Sequence, residues 1–288
     1  MANSDYTFKQ VVDGTGSFSQ SGDTGYSGGV ATLQTYLIQI GYAISDKKGY
    51  FQSDTKSAVE GFQYEFAITV DGIAGPKTCL RLNTVHSSKY FNMYGKPLTD
   101  SQWGQDNILK GDFNDIDLLS RIILAEGGYN NIEQEKGVAL VIKNRADSNN
   151  LAYMASEDTY PNASIYARVV GKSGQYSTAD AGTKTAQEPR RGVNGNQENG
   201  FIDPAWKEAV NLATNIVNNT KISVTGYKVN GIKISTQKLT VNTTDNKSYL
   251  NQKLFSAYKK DYEAGDVSSA VQPLAFSTDT SSDVIYKM

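Results

Sequence analysis

The residue whose placement most strongly suggests chemistry is Glu126, which follows an apolar stretch and precedes two glycines in "ILAEGG". At the C-terminal end of an apolar helix, the helix dipole and the loss of solvation both disfavour a charged carboxylate. They favour the protonated form, which a general acid needs near neutral pH. Gly127 and Gly128 add no side chains, so a bulky substrate could approach. The same pattern fits a helix residue followed by a glycine stop, and both interpretations stay open.

The composition argues against several other kinds of site. The chain of 288 residues holds one cysteine, Cys79, and one histidine, His86. A disulfide within the chain is excluded, and a zinc site of cysteine and histidine ligands is not expected. No G-x-S-x-G motif accompanies His86, so a serine–histidine–aspartate triad is not expected. We therefore expect neither a metal nor a cofactor.

Two predicted helices flank Glu126. The first is capped by Asp115 or Asp117 and runs to about Ala125, with leucines and isoleucines on its core face. The second covers about 132–146 and carries Glu133 in its first turn, where a carboxylate interacts favourably with the helix dipole. Glu133 is the candidate for a second catalytic carboxylate, although this position also suits a purely structural acid.

The chain length favours two domains. Residues 1–26 are rich in serine, glycine and threonine and are expected to form a flexible lead segment. A small helical module is predicted over 27–85 and a polar linker over 86–114. The second domain is expected to cover 115–288.

The 27–85 module is predicted to contain three helices. The first ends at Gly41, the second is capped by Ser53 or Asp54, and the third has Pro76 in its first turn. The loops before the second and third helices share a sequence pattern, since each has a glycine followed six residues later by a threonine. In this repeated pattern, Gly49 is equivalent to Gly72 and Thr55 is equivalent to Thr78.

In the second domain, a long polar loop is expected over 171–204, followed by an amphipathic helix from about Pro204. Asn230-Gly231 predicts a β-hairpin turn. A last helix is expected over 248–265, and the tail "SSDVIYKM" suggests a closing strand. The hairpin pairs expected from this turn are Val229 with Ile232 and Tyr227 with Ile234.

The stretches "LQTYLIQIGY", "SAVEGFQ" and "VDGIAGPKT" resemble the small peptidoglycan-binding module of bacterial and phage wall hydrolases. The resemblance covers about 27–85 and implies a site for wall glycan or stem peptide beside the loops that contain Asp71, Gly72 and Gly75. The same residues could simply build turns, and for the two glycines backbone geometry is the favoured role.

The stretch "LLSRIILAEGGYNNIEQEKGVALVIKNRADS" resembles the SleB-like cell-wall hydrolase family, the spore-cortex-lytic type. The matching features are Ala125-Glu126, Val138-Ala139, Asn144-Arg145 and, further on, Gln175-Tyr176-Ser177. Glu133 falls where the family has a second acidic residue. The resemblance covers about 115–215, and nothing beyond it is carried over to this chain.

This resemblance implies a lysozyme-like fold and cleavage of the MurNAc–GlcNAc bond of peptidoglycan. Glu126 would act alone in a lytic transglycosylase, with Gln175-Tyr176-Ser177 lining the sugar cleft. The alternatives are a muramidase that uses Glu126 and Glu133, and a non-catalytic wall-binding component of a phage or injection particle. The expected fold class is α+β and mostly helical, with an N-terminal three-helix peptidoglycan-binding module and a C-terminal lysozyme-like domain that includes a β-hairpin.

The expected partners are peptidoglycan glycan strands, with stem peptides a further option. The net charge of −2 argues against nucleic acid, and no run of 18 apolar residues indicates a membrane span. The first residues, "MANSDYTFKQ", do not resemble a secretory signal. We therefore expect release by lysis through a holin, transport on a phage-like particle, or export by another route.

Overall fold

The computed structural model describes residues 2–66, 68–88, 94–96, 98–128, 131–180, 204–230, 233–242, 249–267, 272–278 and 283–286, with backbone alone for 253–255 and 257. The chain forms two compact units, and the second begins at Leu98. The expected α+β class is confirmed, since the described residues contain ten α-helices and one five-stranded antiparallel sheet. Among these residues, no helix is both long enough and apolar enough to cross a membrane.

The first unit is helical. The helix Ser53–Glu65, which is the second helix of the predicted module, has a different cap from the one predicted. Its N-cap residue is Gln52, and Ser53 and Asp54 lie inside its first turn. The Asp54 carboxylate instead accepts hydrogen bonds from the backbone and the hydroxyl of Ser45. The helices are α1 (Phe8–Val12), α2 (Gly28–Gln39), α3 (Ser53–Glu65) and α4 (Pro76–Ser87).

The lead segment is part of this unit, so the expectation of a flexible segment over 1–26 is wrong for the residues described. Phe8, Val11 and Phe18 are buried. Phe18 also forms a β-bridge with Ala74, with backbone hydrogen bonds of 3.1 and 2.9 Å. The free energy gained by burying these three large apolar side chains outweighs the tendency of a polar segment to remain in solvent.

A glutamine side chain closes each of the two loops that share the glycine–threonine pattern. In each loop its oxygen accepts the N–H of a glycine and its nitrogen donates to a threonine hydroxyl, over distances of 2.8–3.2 Å. Both glycines have positive φ, 84° and 69°, which explains why glycine stands there. The sets are Gln34 with Gly49 and Thr55, and Gln63 with Gly72 and Thr78.

The second unit starts before the position expected from the sequence. Trp103 and Ile108 are buried within it, so the expected linker over 86–114 and the domain start at 115 do not hold. Asn114, rather than Asp115 or Asp117, caps the helix that carries Glu126 by accepting two backbone N–H groups. The helices are α5 (Gln105–Leu109), α6 (Asp115–Gly127), α7 (Ile132–Ser148), α8 (Ile165–Val170), α9 (Pro204–Val217) and α10 (Phe255–Glu263).

The sheet of the second unit has the strand order β2-β1-β4-β5-β3. The hairpin β1–β2 is present, but its register was predicted wrongly, since Val229 pairs with Ile234 and Tyr227 pairs with Lys238 across a bulge. Residues 231 and 232 of the expected turn, and 181–203 of the polar loop, lie outside the described residues. The strands are β1 (Ser223–Asn230), β2 (Lys233–Asn242), β3 (Asn251–Leu254), β4 (Leu274–Ala275) and β5 (Asp283–Tyr286).

The helix expected over 248–265 begins later than predicted. Its first part is instead strand β3, which pairs antiparallel with β5. The expected closing strand is present as β5, which lies between β4 and β3 and buries Val284, Ile285 and Tyr286. Pairing with a strand far along the chain therefore overrides the local helical pattern of the stretch that forms β3.

Candidate active site

Glu126 lies at a cleft of about 210 Å³ in the second unit. The cleft is built by helices α6 and α7, the loop after α8, and strands β3 and β5. The cleft therefore combines the segments around Glu126 with two strands of the sheet, where no site residue was predicted from the sequence. Its lining residues are Glu126, Val141, Arg145, Gln175, Tyr176, Gln252 and Asp283.

The Glu126 side chain is half-buried in the last turn of α6 and is held by Thr178. Its Oε1 atom accepts the Thr178 hydroxyl at 2.6 Å and the Thr178 backbone N–H at 3.2 Å. Two donors from one residue fix the orientation of the carboxyl group. Thr178 directly follows the predicted Gln175-Tyr176-Ser177 motif but was not itself predicted.

The loop that carries Thr178 is anchored by Trp103. The indole Nε1 donates to the Thr178 carbonyl oxygen at 2.9 Å, and the Trp103 ring packs edge-on against Phe113 with centroids 5.6 Å apart. Trp103 is almost fully buried. The stretch expected to be a linker therefore supplies a support for the candidate acid.

Two of the three predicted cleft residues line the cleft. Gln175 is half-buried there and Tyr176 is buried. Burial raises the pKa of Tyr176, while the positive charge of Arg145 opposes the rise. Ser177 is exposed at the start of a 3₁₀ turn and is not among the lining residues.

Arg145 provides a buried positive charge on the cleft wall. Its Nε donates to the carbonyl of Leu250 at 2.7 Å, and its guanidinium lies 5.1 Å from the Tyr176 ring centroid and 5.6 Å from that of Tyr153. Its Nη1 is buried without a hydrogen-bond partner among the described residues. A guanidinium N–H in this position could bind an oxygen of a substrate.

Asp283 is the second carboxyl group that lines the cleft. Its Oδ2 accepts the Gln134 amide at 2.7 Å and the Gln252 amide at 3.0 Å. Burial raises the pKa of Asp283, and the hydrogen bond from Gln252 opposes this effect. From the sequence, Asp283 was predicted only as part of a closing strand and not as a site residue.

Glu133, the predicted second carboxylate, is not among the residues that line the cleft. Its Oε2 accepts the backbone N–H of Thr225 at 2.6 Å, and its Oε1 lies 2.8 Å from the Lys136 ammonium. The contact with Thr225 joins the start of α7 to strand β1. The structural role that the sequence left open therefore accounts for Glu133.

Neither of the two glycines after Glu126 is among the residues that line the cleft. Gly127 is buried, and a β-carbon there would lie 2.7 Å from Cγ and 2.8 Å from Cα of Glu135. The missing side chain therefore allows α6 and α7 to approach each other. Gly128 ends α6 with φ of 72°, a conformation that favours glycine. Both glycines have structural roles.

In the first unit, Asp71 and Gly72 build a turn. The Asp71 Oδ1 accepts the Gln63 amide at 2.8 Å and the Ile73 N–H at 2.9 Å. Gly75 is the N-cap residue of α4 with φ of −82°, where other residues are also allowed. Another cleft of the first unit, of about 300 Å³, has none of these three residues in its lining, which comprises Gln34, Thr35, Ile38, Gln39, Ile44, Asp46 and Lys48.

Comparison with known proteins gives a match within the first unit. Residues 26–82 match the family model of a peptidoglycan binding domain. No curated protein and no solved structure matches the chain. The match supports a peptidoglycan-binding module, with peptidoglycan as its partner and the cell wall as its place of action. For the second unit, the SleB-like resemblance stays a prediction.

The described residues contain no group of three or more histidine, cysteine, aspartate or glutamate side chains placed to hold a metal ion. The described histidine, His86, stacks on Tyr36 in the first unit with ring centroids 3.7 Å apart. Cys79 is a buried free cysteine, and burial raises its pKa. Neither residue belongs to the Glu126 cleft.

Proposed function

We propose that the protein binds peptidoglycan through its first unit and cleaves the MurNAc–GlcNAc bond of glycan strands with its second unit. The observation that carries the catalytic part is the Glu126 carboxyl group, which is held by Thr178 at a cleft lined by Arg145 and Tyr176. The peptidoglycan-binding module in the same chain supports the choice of substrate.

The proposed reaction is that of a lytic transglycosylase. Glu126 donates its proton to the glycosidic oxygen as the bond from that oxygen to the anomeric carbon breaks. The resulting Glu126 carboxylate then accepts the proton of the sugar's own 6-hydroxyl while that oxygen attacks the anomeric carbon. The product is a 1,6-anhydro sugar, no water is consumed, and Glu126 regains its proton. Gln175 and Tyr176 contact the sugar during these steps.

Hydrolysis is the second candidate reaction. It requires a carboxylate besides the acid in most glycosidases, and Asp283 supplies one in the same cleft. The pairing of Glu126 with Glu133 has no such support. A wall-binding component without catalytic activity is the third candidate. It predicts that replacing Glu126 does not change the function of the protein.

The test compares the wild type with Glu126→Gln on purified cell walls. Glu157→Gln is a matched control, because Glu157 belongs to the same unit, is 74% exposed and pairs with Arg168 outside the cleft. We expect wild type and control to clear the walls and to release anhydro-muropeptides. Glu126→Gln is expected to lose activity by about 100-fold or more while still binding walls.

Each other result has a defined meaning. Products heavier by one water identify a hydrolase. Equal lysis by wild type and Glu126→Gln removes Glu126 from the reaction. Binding by all variants with lysis by none supports the wall-binding component instead.

A further inference from the structure

Asp283 is held by two side chains that come from different elements of the second unit. Two amide groups from different elements, Gln134 of α7 and Gln252 of β3, donate to the same oxygen, Oδ2. Such a pair of donors sets the rotamer of the side chain. Asp283 lines the same cleft as Glu126, so a carboxyl group with a set rotamer is present where a molecule would bind.

The two acidic residues have different surroundings. Glu126 lies at a helix end and is bound by a hydroxyl and a backbone N–H, whereas Asp283 is the first residue of β5 and is bound by amides. Glycosidases commonly combine a proton donor with a second carboxylate near the sugar ring, each in its own environment. A sugar in a cleft of about 210 Å³ would lie beside both side chains.

We propose that Asp283 is the second acidic residue of the cleavage site, where its carboxylate stabilises the positive charge that develops at the anomeric carbon as Glu126 delivers the proton. This inference rests on the proposed glycan cleavage. Asp283 forms no bond and transfers no proton in this step, so the atom balance of the reaction is unchanged. Its effect is electrostatic, and a fixed charge is effective because it needs no reorganisation during the reaction.

A purely structural role for Asp283 makes a different prediction. The Asp283–Gln134 bond joins β5 to α7, so either partner could be replaced to break it. Asp283→Asn removes the negative charge, whereas Gln134→Met removes the hydrogen bond and keeps the charge. The structural role predicts similar effects of both variants, while the electrostatic role predicts a much larger loss of kcat for Asp283→Asn.

The experiment measures kcat and KM on soluble glycan strands for wild type, Asp283→Asn, Gln134→Met and Glu126→Gln, with Tm as a folding control. We expect kcat to fall by about 100-fold or more for Asp283→Asn with little change in KM. For Gln134→Met we expect a fall of less than about 10-fold, since the hydrogen bond contributes modestly. If Asp283→Asn does not fold, Asp283→Glu and Asp283→Gln replace it, because these two side chains have the same shape and differ in charge and in one hydrogen-bonding group.

The inference and the proposed function fail in different ways. Full activity of folded Asp283→Asn, or equal losses in Asp283→Asn and Gln134→Met, overturns the inference while an inactive Glu126→Gln still supports the proposed function. An active Glu126→Gln overturns the proposed function. If the wild type cleaves no glycan, both are wrong.

Discussion

Thr178 donates two hydrogen bonds to one oxygen of Glu126, from its hydroxyl at 2.6 Å and from its backbone N–H at 3.2 Å. Both donors bind Oε1, so the orientation of Oε2 is set as well. Trp103 binds the carbonyl of Thr178 and completes a chain of contacts from the start of the second unit to the candidate acid. Catalysis by a proton donor depends on such positioning, because the donor must reach the leaving oxygen.

Replacing Thr178 with valine is expected to lower kcat. Valine keeps the backbone N–H and the approximate shape but removes the hydroxyl donor. Hydrogen bonds to charged groups contribute about 1.5–3 kcal/mol, so a loss of about 10-fold or more in kcat is expected, with KM little changed. Steady-state kinetics on soluble glycan strands measure this. Thr178→Ser keeps the hydroxyl and should retain most activity, and equal rates for the two variants would contradict the positioning role.

Replacing Glu133 with glutamine is expected to lower stability more than activity. The change weakens the acceptor of the Thr225 N–H and removes the ion pair with Lys136. The free energy of unfolding should fall by about 1 kcal/mol, while kcat should stay within about threefold of wild type. Denaturant unfolding and glycan kinetics measure the two quantities. A loss of kcat comparable to that of Glu126→Gln, with stability unchanged, would restore Glu133 as the second catalytic carboxylate.

The elements around Glu126 could be predicted from the sequence because their signals are local. The apolar spacing of α6, the apolar spacing of α7 and the glycines after Glu126 are each a pattern within a single helix or at its end. Asp283 could not be predicted in this way, since it reaches the cleft only through pairing of β5 with β3 and β4. The same pairing explains why the stretch that forms β3 was predicted as helix.

Trp103 shows a second limit. The polar composition around it suggested a linker, yet a single buried indole with one hydrogen bond places this stretch in the second unit. Conversely, the repeated loop pattern that contains Gly49 and Gly72 was visible in the sequence. Its cause, an amide side chain that closes each loop, became visible only in three dimensions.

Replacing Gly127 with alanine is expected to destabilise the second unit strongly. The new β-carbon would lie 2.8 Å from Cα of Glu135, so the backbone of α6 or α7 would have to move. A loss of about 1–3 kcal/mol in the free energy of unfolding is expected. Gly128→Ala is a comparison variant, because its β-carbon meets no described atom within 4 Å and its cost is the backbone conformation alone, with φ of 72° and ψ of 165°, about 1–3 kcal/mol. An unchanged free energy of unfolding for Gly127→Ala would argue against close packing at Gly127.

Replacing Gln63 with leucine is expected to destabilise the peptidoglycan-binding module. The change leaves the Gly72 N–H and the Thr78 hydroxyl without the buried amide that now binds them. The free energy of unfolding should fall by about 1–3 kcal/mol. Gln34→Leu should have a similar effect, because Gln34 makes the equivalent bonds in the other loop. Thermal unfolding together with wall-binding assays tests this, and a tolerated change at either position would contradict the structural equivalence.

The pH dependence of stability provides a separate test of Asp283. Burial raises its pKa in the folded protein above the ordinary value of 3.8, so ionisation favours the unfolded chain. The stability contributed by the protonated form is complete below the unfolded pKa and is lost as the pH rises through the folded pKa.

Asp283→Asn cannot ionise at this position. The difference in unfolding free energy, variant minus wild type, should therefore increase from pH 3 to pH 7, whatever the constant effect of the altered hydrogen bonds. Denaturant unfolding of both proteins across this range measures the difference. A difference that stays constant or decreases with pH would show that the folded protein does not disfavour the charged form of Asp283. An increase, combined with a lower kcat for the variant, would mean that the site retains a destabilising charge because the reaction needs it.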